Sequence, residues 1–256
     1  MAIQLNYKSF GQGNPIIILH GLFGTLDNWQ TIGKQLATTH TIFLVDQRNH
    51  GKSPHVVGHT YPLLAADLNY FMEQQWIFEA TIIGHSMGGK TAMQFTMDYP
   101  DRVKQLIVVD IAPKAYTGGH ELIINALLSL PLQEITDRTQ ADQMLQSFGI
   151  EEFGTRQFLL KNLTRTKAGD YEWKMNLPEL HKNYEQILAK IELQEPFQGE
   201  TLFLKGGKSD YIAEEDWTTI QRYFPNAQLK TIPNVGHWVH AEAPNELLNN
   251  FLSFIK

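Results

Sequence analysis

Along the first third of the chain, short apolar runs alternate with longer polar stretches. Residues 16–19, 42–45 and 80–83 are largely apolar and too short for helices, which predicts strands buried on both faces of a parallel sheet. Residues 27–37 and 61–71 lie between them and read as helices, so the order is strand, helix, strand, helix, strand. A helix over 86–98 should follow and stop before Tyr99-Pro100, because proline disfavours a helical residue ahead of it and has no amide hydrogen to donate. The next strand is expected at 105–109.

After Ala112-Pro113 the pattern changes. From about 116 to 194 the segments read as helical, for example 121–130 and 157–163, with no buried β runs. The sheet pattern returns at 201–204, followed by a helix over 214–224, a strand over 228–232 and a last helix over 244–255. Residues 1–113 and 196–256 are therefore expected to form one core, with 114–195 inserted as a helical cap. Residues 194–199 would return the chain from cap to core. One enlarged α/β domain without a mobile lid is the alternative.

Composition narrows the class of function. The 256 residues are 43% hydrophobic and 19% charged, the balance of an ordinary globular chain. Twenty-one Lys and Arg against 27 Asp and Glu give a net charge of -6 with no long run of one sign, which argues against a grip on nucleic-acid phosphates. A small organic substrate fits better. The absence of cysteine removes thiolate nucleophiles, disulfides and cysteine-based metal sites. No apolar run approaches a membrane span, and MAIQLNYKSF does not read as a signal peptide, so a cytoplasmic address without a membrane partner is expected.

Three loops carry candidate chemistry. Gly84-His85-Ser86-Met87-Gly88 matches G-x-S-x-G between a predicted strand and helix, the setting of a nucleophile elbow. The turn there must be tight enough that Gly84 and Gly88 cannot carry side chains, and it would hold the Ser86 hydroxyl up at the carboxyl edge of the sheet. The competing reading makes Ser86 a helix N-cap. A serine hydroxyl needs a base, and His237, just beyond the last predicted strand, is the candidate, with His240 competing. In His20-Gly21-Leu22-Phe23-Gly24, the Leu22 N–H, or its neighbour Phe23, could join the Met87 N–H in an oxyanion hole.

The acid behind the histidine is open between Asp110, ending the 105–109 strand, and Asp210, in the loop after 201–204. Asp46 reads as a structural turn residue, with Arg48 and His50 as loop anchors. No H-E-x-x-H occurs, so neither a metal nor another cofactor is expected. Phe153, Phe158, Tyr171, Trp173 and Met175 could line an acyl pocket or pack the insertion onto itself.

HGLFG, DQRNHGKS, GHSMGG, YPDRV and GHWVHAEAP occur in this order. Through them the chain resembles the α/β-hydrolase superfamily over nearly its whole length. HGLFGTLDNW, DQRNHGKS, GHSMGGK, VVDIAP and GGKSDYI are similar to the YbfF-type esterases. The resemblance implies a mostly parallel central sheet flanked by helices, with a helical cap inserted after the sixth strand. It also implies cofactor-free hydrolysis of short to medium acyl esters, extending to acyl thioesters, by a monomer or homodimer.

Most α/β hydrolases take the acid from the later loop, where Ser209 occupies the usual acid position and Asp210 follows it. The YbfF-type pattern instead matches the acid to Asp110 and a supporting serine to Ser209. Carbon–carbon bond hydrolysis, another acyl transfer, or a ligand receptor that has lost turnover are the alternatives on the same scaffold.

Overall fold

A computed structural model describes residues 1–192 and 194–255. Seven strands form one sheet: β1 (Tyr7–Phe10), β2 (Pro15–Leu19), β3 (Thr41–Val45), β4 (Ala80–His85), β5 (Val103–Val109), β8 (Glu200–Gly206) and β9 (Ala227–Ile232). Their spatial order is β1-β3-β2-β4-β5-β8-β9, with β1 antiparallel to β3 and every other pair parallel.

The apolar runs of the sequence explain the layering. Successive strand residues point to opposite faces, so Ile17, Leu19, Ile82, Leu106, Val108 and Phe203 enter one core. Ile16, Ile18, Ile83, Ile107, Val109, Leu202 and Leu204 enter the other. The first core holds residues of α2 (Tyr61–Gln74) and α3 (Met87–Asp98). The second holds residues of α1 (Gln30–Leu36) and α11 (Pro244–Phe254). Because both faces are covered, the strands read as continuous apolar runs.

The segment between β5 and β8 stays outside this sheet. It folds as α4 (Glu121–Ser129), α5 (Arg138–Ser147), α6 (Phe153–Leu160), a hairpin of β6 (Leu163–Arg165) and β7 (Tyr171–Trp173), then α7 (Leu177–Lys182) and α8 (Tyr184–Leu188). The chain closes with α9 (Asp216–Tyr223) before β9, and α10 (Val239–Glu242) before α11.

Several details differ from the sequence expectation. The hairpin departs from an all-helical insertion; its strands are three residues each, too short to give a periodic signal. Counted along this chain, the insertion follows the fifth strand rather than the sixth, since residues 1–6 are irregular and the sheet begins at β1. That first strand has no apolar run because it is an edge, exposed through most of its length. The stretch expected as one helix over 27–37 divides into a 3-10 turn, Leu26–Trp29, and α1.

The DQRNHGKS loop is held by charge. Arg48 and Asp67 are both 1% exposed at the side chain, and Nε and Nη2 of Arg48 donate to the two carboxylate oxygens at 2.6 and 2.7 Å. Asp46 accepts from the amides of Leu26 (2.8 Å) and Lys52 (2.9 Å) and from Asn6 Nδ2 (2.7 Å). The structural reading of Asp46 and Arg48 thus matches their contacts, and His50 Nδ1 reaches the Arg48 carbonyl at 3.0 Å.

Removing one partner of a buried pair leaves the other charge uncompensated. Asp67→Asn should therefore lower unfolding free energy by about 3–5 kcal/mol, read from the urea midpoint at constant m-value. A loss no larger than that of an exposed ion pair would refute this.

Candidate active site

Four strand ends deliver side chains to one edge of the sheet. Ser86 follows β4 in a left-handed backbone conformation, φ 53° and ψ -121°. A bulky neighbour would break this turn: a Cβ on Gly84 would lie 2.2 Å from the Gly88 carbonyl oxygen, and one on Gly88 would lie 2.4 Å from that of Leu19. Ser86 stands at the N-cap position of α3, yet its hydroxyl makes no capping bond. Its Oγ lies 2.9 Å from Nε2 of His237, so the competing reading as a helix cap does not hold.

His237 lies in the loop after β9, and its Nδ1 is 2.7 Å from Oδ2 of Asp110. Asp110, at the end of β5, is fully buried and also has positive φ, 52°. Its Oδ1 accepts from the Gly206 amide at 2.9 Å, and its Oδ2 also accepts from the Ser209 hydroxyl. Asp210 is exposed, whereas Asp110 bonds the imidazole, so of the two candidates it is Asp110 that stands behind His237. Gly206 lets the histidine loop approach, since a Cβ there would lie 2.2 Å from the Gly236 carbonyl oxygen.

His240 lines the same cleft but stacks on Trp29, ring centroids 5.0 Å apart, while the Ser86 hydroxyl bonds His237. Burial, with His237 nearby, pulls its pKa down to about 4, which keeps it neutral. His85 supports the histidine loop: its Nε2 is 2.9 Å from the His237 carbonyl oxygen. Burial, and secondly the neighbouring His237, holds the His85 ring well below the ordinary histidine range.

Tyr211 was not singled out by the sequence. Its ring lies face to face with the His237 imidazole, centroids 3.8 Å apart and planes 17° from parallel. Its hydroxyl is 3.4 Å from His120 Nε2, a residue of the insertion. The signal was present in GGKSDYI, but the stack joins residues far apart in the chain.

The oxyanion candidates border the same point. Met87 opens α3, so its N–H has no carbonyl to bond within the helix. Leu22 follows Gly21, where a Cβ would lie 3.2 Å from Ser86 Cβ and 3.1 Å from His85 Nδ1. Phe23 has φ 59°, and its carbonyl accepts from Asn162 Nδ2 at 2.6 Å.

A cleft of about 1010 Å³ opens over Ser86 and His237, and a cavity of about 30 Å³ lies behind Ser86. Of the five aromatic and methionine residues proposed for a pocket, Phe158 lines the cleft. Phe153 is 63% exposed, while Tyr171 and Met175 are buried in the core. Among the described residues no group of three or more His, Asp or Glu side chains is arranged to hold a metal ion, and no helix is long and apolar enough to cross a membrane.

The profile of the alpha/beta hydrolase fold matches residues 14–244. The chain belongs to the α/β-hydrolase family. The sn-1-specific diacylglycerol lipase ABHD11 of Mus musculus is 38% identical over 248 residues, 94% of this chain and 80% of that protein. Esterase YbfF of Escherichia coli K12 is 38% identical over 236 residues, 92% of this chain and 90% of that protein. A solved marine microorganism esterase superposes with a TM-score of 0.97 at 42% identity, covering 99% of this chain and 100% of that one.

Within this α/β hydrolase, the lysine of GHSMGGK is 1% exposed. The Lys90 ammonium donates to the carbonyls of Leu188 (3.2 Å) and Ala189 and lies near the rings of Tyr116 (4.8 Å) and Tyr61 (5.4 Å). Burial pulls its pKa down to about 7. An exposed lysine of the unfolded chain keeps its proton to about pH 10.4, so above neutrality the unfolded state binds more protons and stability rises with pH. Unfolding free energy should therefore increase between about pH 7 and 9.5, and Lys90→Met should flatten that rise. Equal pH slopes for the two proteins in urea titrations would contradict it.

Proposed function

We propose that this α/β hydrolase cleaves short to medium acyl esters through a Ser86–His237–Asp110 triad and an acyl-enzyme intermediate. Hydrolysis of ester bonds is the activity carried in the names of relatives that share 38% of their aligned residues with nearly the whole chain. The observation that carries the finer reading is the continuous relay from Ser86 Oγ through both nitrogens of His237 to buried Asp110.

In this mechanism Nε2 of His237 takes the Ser86 proton as Oγ attacks the acyl carbonyl. The negative charge that develops on the carbonyl oxygen is held by the amides of Met87 and Leu22. His237 then passes the proton to the leaving oxygen, and the same cycle with water releases the acid. Asp110 fixes the imidazole so that Nδ1 donates to it and Nε2 faces the serine, and Ser209 and the Gly206 amide keep the carboxylate in place. The face of Tyr211 lies against the ring that becomes cationic at each step, an arrangement that favours the imidazolium.

The insertion acts as a cap in this reading, with residues 114–195 roofing a core made of 1–113 and 196–256. Thioesters extend the same chemistry, since the acyl-enzyme is common to both. The relay favours turnover over a receptor role, because a hydroxyl bonded to a base is one prepared for attack.

Ser86→Ala and His237→Ala should each lower kcat for a p-nitrophenyl ester by about 10⁴-fold or more. Asp110→Asn should lower it by about 10⁴-fold through the wrong histidine tautomer, whereas Asp210→Asn should stay close to wild type. Wild-type turnover in Ser86→Ala would refute the triad, and equal small losses for the two aspartates would refute the choice of acid.

A further inference from the structure

The two spaces beside Ser86 differ thirtyfold or more in size and share one boundary: Leu22, Ser86, His120 and Tyr211 line both. They differ in their catalytic groups. His237 lines the large cleft and is not part of the small cavity, whereas Met87 lines the small cavity and is not part of the cleft.

That division fixes which half of an ester goes where, given the triad reading on which this inference rests. The leaving oxygen must come within hydrogen-bond reach of His237 Nε2 to receive its proton. The carbonyl oxygen must face the amides at Met87 and Leu22. Leu22 and Met87 line the small cavity and His237 does not, so a substituent on the side of the carbonyl away from His237 enters that cavity. We propose that the small cavity is the acyl site and the large cleft the alcohol site, so that the preferred substrates are esters of a very short acid with a bulky alcohol.

The size limit follows from the walls. At about 30 Å³ the cavity holds roughly one or two water-sized groups beyond the carbonyl carbon, which corresponds to acetyl and propanoyl. Ile111, Tyr116, Ile187 and Leu188 supply an apolar surround, and Lys90 borders it with its ammonium turned to the Leu188 and Ala189 carbonyls. The packing is tight on the core side, since a Cβ on Gly89 would lie 2.6 Å from Ile111 Cγ2. Ile187 and Leu188 come from the insertion, so the insertion sets the acyl limit.

The cleft has the opposite character. Its charged lining is Asp27, Glu152, Lys161 and Glu242. Asp27 is paired with Lys8, which leaves two carboxylates against one lysine. An uncharged alcohol suits that mouth better than a polyphosphorylated thiol.

Two ester series test the assignment, one of p-nitrophenyl esters from acetyl to octanoyl, the other of acetyl esters with p-nitrophenol, 1-naphthol and coenzyme A as leaving groups. From propanoyl to hexanoyl, kcat/KM should fall at least about 10-fold, and 1-naphthyl acetate should be cleaved faster than acetyl-coenzyme A. Ile187→Ala should raise the hexanoyl-to-acetyl ratio of kcat/KM about 10-fold relative to wild type. Octanoyl turned over by the wild type as well as acetyl, in a reaction that Ser86→Ala abolishes, would overturn the acyl site and leave the triad standing. No turnover of any ester, or turnover that survives Ser86→Ala, would defeat the triad reading and the acyl site with it.

Discussion

A carboxylate sealed from water holds the site together. Asp110 follows β5 directly, and its two oxygens accept from the Gly206 amide at the end of β8, from the Ser209 hydroxyl and from His237 beyond β9. A buried carboxylate is costly unless its acceptor positions are filled. Filling them requires β5, β8 and β9 to be adjacent and in register, as they are in the sheet. The same bonds that satisfy Asp110 thereby fix the imidazole, and the imidazole fixes Ser86.

Close approach of backbones makes this geometry possible. Gly84 and Gly88 let α3 begin almost in contact with the ends of β4 and β2, and Gly206 lets the histidine loop lie against the end of β8. The positive φ of Ser86 and of Asp110 places two strained residues at neighbouring strand ends. Strain of that kind costs about 1–3 kcal/mol per residue and persists where the surroundings overdetermine it. Here the surroundings are β4, buried throughout, and β5, buried except at Lys104.

The insertion is joined to the core by polar bonds near the site rather than by the sheet. Asn162 reaches the Phe23 carbonyl, Tyr61 donates to the Ile187 carbonyl at 2.5 Å, and the Asn176 amide donates to the Asn49 carbonyl at 2.8 Å. Lys90 adds a buried ammonium to the Leu188 and Ala189 carbonyls. His120 carries the insertion to Tyr211, and Tyr211 carries it to the His237 ring. A change in how the insertion sits would therefore be felt both at the small cavity and at the base.

The sequence by itself determined the parallel core, because strands buried on both faces must be apolar at successive positions. It also marked Ser86, since a strand-to-helix turn this tight excludes side chains at Gly84 and Gly88, and it left Asp110 and Asp210 as the candidate carboxylates behind His237. The edge strand β1 and the hairpin β6–β7 left no such mark, being exposed or only three residues long. Tertiary structure alone decided that Ser86 bonds a base rather than capping its helix, that Asp110 faces His237 while Asp210 faces water, and that Tyr211 stacks on the ring. Each of those relations joins strand ends distant in the chain, and adjacency across a sheet is set by pairing and register, which local residue patterns do not encode.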